Sequence, residues 1–193
     1  MIDFWFEFGS NYSYLSVMRI EELARSLNVS VRWQPFLLGP IFAALGWETS
    51  PFVLQKEKGA YVWKDMARQC KKYGLPWKQP SVFPRHTVLA TRVALHGVHE
   101  PWMGDFCRAI MLRNFVSDED VGSDADVRAV LQALSLPADA ILAEAQSPAN
   151  RVRLREQTDK ARALGIFGAP TFFADEEMYW GNDRLEDALA SLV

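Results

Sequence analysis

Residues 51–164 carry helical periodicity and no convincing strand, and every strand-like run lies toward one end of the chain or the other. This segregation constrains the fold more than any other feature, because strands so far apart in sequence must still share one sheet to bury their apolar faces. At the front, "IDFWFEF" alternates and is aromatic, which predicts a half-buried strand. "YSYLSVMRIEELARSLN" predicts one helix with Leu15, Met18, Ile20, Leu23 and Leu27 on its buried stripe and Asn28 as its end. "VSVRWQPF" reads as a second strand, making a βαβ unit with parallel strands and a right-handed crossover.

The helical stretch begins with "LQKEKGAYVWKDMARQCKKYG" and continues through "PRHTVLATRVALHG" and "WMGDFCRAIMLRNFV". "SDADVRAVLQAL" opens with Ser123 as N-cap; the next helix has Ser147 as cap, Pro148 in its first turn and Gly165 as terminator. After it, "PTFF" and "MYW" read as two strands joined by the turn "ADEE", and "NDRLEDALASLV" as a closing helix capped by Asn182. The expected fold class is therefore α/β: a thioredoxin-like βαβ…ββα fold interrupted by a large all-helical insertion. The expected boundaries are 1–45 and 165–193 for the thioredoxin-like domain, with 46–164 as the helical insertion domain.

Composition removes several classes of function. A chain of 193 residues that is 49% hydrophobic can bury a core, and its net charge of -3 with interspersed signs provides no basic stripe for nucleic acid. No apolar run approaches the roughly 20 residues needed to cross a bilayer, and Met1-Ile2-Asp3-Phe4 has no basic leader, so the expected location is cytoplasmic, with no membrane partner. Cys70 and Cys107 sit in helical patterns outside any CxxC, and His86, His96 and His99 are dispersed, so no metal is expected. In "LHGVHEP", His96 and His99 read as a polar helix end.

Three motifs in order then carry a resemblance over nearly the whole chain. "DFWFEFGSNYSYLS" resembles a strand-to-helix junction that is commonly S-P-Y-S, and "GIFGAPTFF" followed by "YWGNDRLEDAL" resembles a C-terminal glutathione site; "FLLGPIF", "KGAY" and "FPRHT" extend the match. The chain resembles the branch of the DsbA-like thioredoxin superfamily that includes 2-hydroxychromene-2-carboxylate isomerases and kappa-class glutathione transferases. Ser10 then stands where redox relatives carry their nucleophilic cysteine and Ser13 where they carry the resolving one, which excludes disulfide exchange there. Read from "FEFGSNYSYL" alone, Ser10 is an N-cap. The resemblance implies that it also donates a hydrogen bond to a bound glutathione thiolate, which the first N–H groups of the helix would favour as well.

By the same resemblance, the Ala169-Pro170 bond is cis and the Ala169 N–H and C=O face outward to pair with the cysteinyl segment of glutathione. An ordinary proline turn is the alternative reading of those residues. Asn182 and Asp183 receive the γ-glutamyl end, Asp183 suiting its ammonium group, and Lys58 of "KGAY" resembles a lysine near the cofactor, where a solvated helix-start lysine is the alternative. Three departures from the family pattern bear on substrate: Asn11 replaces the usual proline, Trp47 or a neighbour stands where an asparagine is frequent, and His86 follows "FPR" where asparagine is common.

The implied activity is glutathione-dependent cis-trans isomerisation of an aromatic-catabolism intermediate, a small aromatic carboxylate, by reversible thiolate addition. Asn11, Tyr12, Arg85 and His86 are the candidate substrate contacts, with His86 or a water as general acid and Lys58 or Arg85 holding the substrate carboxylate. A kappa-type transferase and a non-catalytic glutathione-binding protein remain open, as does a homodimer. Trp47, Phe52, Trp63, Trp77 and Trp102 read as core residues.

Overall fold

The computed structural model describes residues 1–193. In chain order it comprises β1 (Ile2–Phe6), α1 (Asn11–Val17), α2 (Ile20–Ser26), β2 (Val31–Pro35), α3 (Leu38–Ala44), α4 (Pro51–Leu54) and α5 (Lys56–Tyr73). There follow α6 (Val88–His96), α7 (Met103–Leu112), α8 (Asp124–Ala133), α9 (Ala138–Gln146), α10 (Pro148–Ala163), β3 (Thr171–Ala174), β4 (Glu177–Trp180) and α11 (Leu185–Ala190). The four strands form one sheet in the order β2-β1-β3-β4, with β1 parallel to β2 and antiparallel to β3, and β3 antiparallel to β4. This is the expected thioredoxin-like topology, and no strand interrupts the helical stretch between β2 and β3.

The half-buried reading of β1 is corrected by the structure. Phe4 and Phe6 face the large core with Trp33 and Phe172, the Phe4 ring stacking on Phe6 at 5.2 Å and on Phe172 at 5.3 Å. On the opposite face Trp5 packs with Phe36, Ile41, Ala161 and Ile166, so α3 and α10 cover the side that alternation assigns to solvent. A central strand covered on both faces must be apolar on both, and the aromatic run supplies that. Helix α6 packs on β2, and α1 on α5 and α7. One buried cluster accordingly runs from Phe4 through Tyr14, Met66, Phe106 and Leu131 to Leu185.

The helix expected across "YSYLSVMRIEELARSLN" is two. At the break the Arg19 N–H bonds back to Ser16 O, three residues earlier, and Arg19 takes φ -119 and ψ -28. Its guanidinium lies 3.5 Å over the Tyr73 ring, donates to Asn182 Oδ1 at 3.1 Å and pairs with Glu186. Local propensity is helical throughout, so these tertiary contacts at Arg19 accompany a break that propensity does not explain. The same contacts overturn the cap assigned to Asn182. Residues Asn182–Arg184 form a single 3-10 turn, α11 begins only at Leu185, and the Asn182 side chain accepts from Ser16 Oγ at 3.0 Å instead of capping the helix.

The remaining punctuation is as expected. Ser123 forms a capping box with Asp126, Ser147 accepts from the Asn150 N–H, and Asn28 adopts φ 56 at the end of α2. At Gly165, φ 80 permits a closing pair of bonds, Ile166 N–H to Ala161 O and Gly165 N–H to Arg162 O. That turn delivers residues 167–170 to the start of β3. Because Trp5 pairs with Thr171, whatever follows β1 must meet whatever precedes β3.

Candidate active site

Where those two segments meet, the Ser10 hydroxyl makes two hydrogen bonds. It accepts from the Ser13 N–H at 3.1 Å, which is the cap, and donates to Ala169 O at 2.8 Å, which ties the head of α1 to the turn before β3. The Ala169-Pro170 peptide is cis, as expected, and so is Phe83-Pro84. A cavity of about 1200 Å³ opens on this junction, and Ser10, Asn11, Tyr12, Lys58, His86, Ala169 and Asp183 all lie on its wall. Ser13, by contrast, is fully buried and not among the residues of that wall, so of the two hydroxyls only Ser10 faces the cavity.

Beneath the turn lies a group that sequence reasoning passed over. Glu7 is only 7% exposed, accepts from the Gly9 N–H at 2.9 Å and from the Thr87 hydroxyl, and contributes to the cavity wall. Burial lifts its carboxyl from 4.5 to about 7, against the two hydrogen bonds, which pull it down. A Cβ at position 9 would stand 2.8 Å from Glu7 Oε2, so a side chain there would have to displace the carboxyl. The available signal was a lone carboxylate in the otherwise apolar run "FWFEF" immediately before that glycine.

Asn11 is 1% exposed, and its Nδ2 has no hydrogen-bond partner in the protein although the residue borders the cavity. A buried donor left in this state is costly unless a ligand acceptor completes it. Two aromatic pairs line the cavity, the Phe167 and Trp180 rings 4.8 Å apart and those of Phe42 and Trp47 5.6 Å apart. Gly168 passes so close under Trp180 that a Cβ there would lie 2.5 Å from the indole nitrogen. Gly59 of "KGAY" is equally constrained, since its Cβ would sit 2.1 Å from Phe52 O and drive α5 off α4.

A family model described as a DSBA-like thioredoxin domain matches residues 1–193. The chain belongs to the DSBA-like thioredoxin family. A 2-hydroxychromene-2-carboxylate isomerase of Pseudomonas putida is 30% identical over 191 residues, covering 96% of this chain and 90% of that protein. Glutathione S-transferase kappa 1 of Rattus norvegicus is 24% identical over 204 residues, covering 96% and 88%. A solved structure of a 2-hydroxychromene-2-carboxylate isomerase superposes with a TM-score of 0.88 at 26% identity, covering 99% of this chain and 95% of that one. The two cysteines of this DSBA-like chain, Cys70 and Cys107, are both free and buried.

Several expected roles change once the geometry is known. Arg85 lies on the cavity wall with both terminal guanidinium nitrogens committed inward, donating to Asn114 O and Oδ1 and to Asp118 O and Oδ1 at 2.7–3.1 Å. Those bonds, with help from Ser81 and Lys78, hold the Asp118 carboxyl well below the usual carboxylate range. The network matters because Asn114 in turn donates to Phe8 O at 3.0 Å and fixes the turn that bears Ser10. Arg85→Ala should therefore lower the thermal midpoint by about 5 °C or more, whereas Lys78→Ala, on an exposed partner of the same Asp118, should leave it nearly unchanged. Calorimetry showing equal effects for the two would contradict the buried anchor.

Asn182 is also turned away from a ligand by its side chain, which is 3% exposed and committed to Ser16 and Arg19. What its turn can offer is backbone: the Arg184 N–H is already bonded to Gly181 O, and the Asn182 and Asp183 N–H groups precede it at the head of the turn. The Ala169 carbonyl, on the cavity wall, accepts from Ser10 with one of its two lone pairs. Tyr12 donates to Asp65 at 2.7 Å. His86 stands exposed on the rim, and Lys58 lies on the first turn of α5, 5.9 Å from the Phe52 ring. Trp47 and Phe52 border the cavity, whereas Trp63, Trp77 and Trp102 pack against the core as expected.

Proposed function

We propose that this chain is a glutathione-dependent isomerase acting on 2-hydroxychromene-2-carboxylate or a closely similar aromatic carboxylate. The observation that carries the reading is the hydrogen bond between Ser10 and Ala169 O on the wall of a large cavity, in a chain 30% identical to a protein named 2-hydroxychromene-2-carboxylate isomerase. The residues present suit glutathione: Ala169 offers backbone to an extended peptide, Asp183 is an exposed carboxylate for an ammonium group, and Asn11 Nδ2 is an orphaned donor. Bound glutathione supplies a thiolate that adds reversibly to a conjugated carbon, so that a double bond rotates as a single bond.

Ser10 has one hydroxyl proton, and in the ligand-free chain Ala169 O holds it. Ala169 O can also accept a peptide N–H with its second lone pair, and the Ser10 hydroxyl, which can rotate, can donate instead to a sulfur beside it. The cap survives this change, because Ser10 Oγ continues to accept from Ser13. By that rotation Ser10 would serve both as the cap of α1 and as a donor to a bound thiolate. Lys58, which has no carboxylate partner, is available to the substrate carboxylate, and the apolar rim of Phe42, Trp47, Phe167 and Trp180 matches an aromatic ring.

The deciding experiment is a spectrophotometric assay of hydroxychromene carboxylate with and without glutathione. Turnover that requires glutathione and leaves its concentration unchanged supports the isomerase. The likeness to the kappa-class enzyme supports one rival, a transferase, which would consume glutathione with a halonitrobenzene. Binding of glutathione with neither reaction would leave a binding protein.

Cys70 and Cys107 should be dispensable to this chemistry. Both are buried, burial pushes the Cys70 thiol up to about 11 and the Cys107 thiol well above its ordinary value, and neither borders the cavity. A double alanine variant that folds yet loses glutathione-dependent turnover would rule out the serine-centred mechanism.

A further inference from the structure

We infer that Glu7 is the acid–base residue of this cavity, giving a proton to the substrate oxygen that becomes negative as the conjugated carbon is attacked and recovering it when the double bond reforms. The inference rests on the isomerase reading above and adds to it a residue with a defined proton-transfer role. In the forward step the thiolate's electron pair forms a C–S bond, the carbon–carbon π pair shifts toward the carbonyl carbon and the carbonyl π pair moves onto oxygen. The Glu7 O–H bond breaks, its pair stays on the carboxylate, and the proton forms an O–H bond on that oxygen. After rotation the carboxylate removes the same proton, the O–H pair re-forms the carbonyl and the enol pair re-forms the carbon–carbon double bond. The C–S bond breaks with its pair leaving on the thiolate, so that Glu7 ends protonated as it began. No oxidant, reductant or water is consumed.

Geometry supports Glu7 over the other groups on the wall. It stands three residues before Ser10 and lines the same cavity, and the Gly9 N–H at 2.9 Å and the Thr87 hydroxyl both donate to it, so its carboxyl is fixed in place. Both contacts are donors. They anchor the carboxyl without supplying a positive charge, and no arginine, lysine or histidine pairs with it. Arg85 and His86 precede Thr87, yet the terminal nitrogens of Arg85 are committed to Asn114 and Asp118 and the exposed His86 imidazole makes no hydrogen bond that would position it. Across the cavity α5 presents Lys58 and Asp65, the latter engaged by Tyr12.

A purely structural role would be served as well by glutamine, which can accept from Gly9 and donate to Thr87. A carboxyl whose burial places its titration near neutrality can instead both give and take a proton under working conditions. Desolvation dominates that shift, with the Thr87 and Gly9 hydrogen bonds opposing it. Removing the Thr87 hydroxyl should therefore raise it further.

The test compares wild type, Glu7→Gln and Thr87→Val by three measurements: turnover of hydroxychromene carboxylate against pH, calorimetric titration with glutathione, and carboxyl titration by NMR on 13C-glutamate-labelled ligand-free protein. Glu7→Gln should lose about 10²- to 10⁴-fold in kcat with glutathione affinity within about threefold of wild type. The NMR spectrum should show one glutamate titrating near 7 that vanishes in Glu7→Gln. Thr87→Val should retain activity while moving the corresponding limb of the kcat profile to higher pH, which a packing defect alone would not do. An active wild type whose Glu7→Gln variant keeps its kcat and pH profile overturns the role of Glu7 alone, as does a Glu7 signal that titrates with ordinary glutamates. A wild type without isomerase turnover overturns the proposed function and this role together.

Discussion

Ser10→Ala should reduce isomerase turnover by about 10²-fold, the usual loss when one donor to a developing or bound anion is removed, while costing only about 1 kcal/mol of stability as a lost cap. The two consequences separate because they belong to different bonds. The cap is the Ser13 N–H to Ser10 Oγ contact; the chemistry uses the Ser10 proton that Ala169 O holds when no ligand is bound. Without that donor, bound glutathione, whose free thiol ionises near about 8.5, should keep more of its proton, and the pH optimum should move upward. Ser10→Cys should also lower turnover and, with glutathione disulfide present, exchange into a mixed disulfide visible by mass spectrometry. Wild-type kcat and pH profile in Ser10→Ala, with a loss in Ser13→Ala instead, would assign the role to the wrong hydroxyl.

Glu7→Gln should make the protein more stable at pH 8 by about 3 kcal/mol, and the gain should vanish toward pH 4. Burial raises the Glu7 carboxyl from 4.5 to about 7, so between those values the folded chain holds a proton that the unfolded chain has released. The contribution of this group to stability is thus fully present below about 4.5 and is lost as pH rises through about 7. Glutamine cannot ionise, and it keeps an acceptor for Gly9 and a donor for Thr87, so the variant escapes the loss. Urea unfolding of both proteins at pH 4, 6 and 8 isolates the effect, since every other carboxylate is common to the pair. A difference that does not change with pH would mean that Glu7 titrates alike in the folded and unfolded chains. A residue that weakens the fold at neutral pH while bordering a cavity is what a trade of stability for activity looks like.

Much of the architecture follows from local patterns that a reader of the sequence can see. The strand runs at the two ends, the caps at Ser123 and Ser147 and the terminators at Asn28 and Gly165 each depend on neighbouring residues only. The roles of Ser10 and Ala169-Pro170 came from the family resemblance, since alone these residues read as a cap and a proline turn; the structure adds that adjacent antiparallel strands bring the two segments together. Periodicity misled at β1, because alternation reports how many faces a strand hides only when the covering layer is known, and α3 and α10 supplied a second cover.

What the tertiary structure alone decided is the state of each polar group. Arg85 reads from sequence as a free cation beside "FPRHT", but Asn114 and Asp118 arrive from a distant turn and consume its donors. Asn182 reads as a cap, yet Ser16 and Arg19 claim its oxygen and the helix starts later. Glu7 reads as one charged residue in an aromatic run, and only its burial between Gly9 and Thr87 moves its ionisation to neutrality. Sequence determines which side chains can donate, accept or ionise; desolvation and hydrogen-bond partners depend on segments far apart in the chain, and these set the charge and availability of each group only when the fold closes.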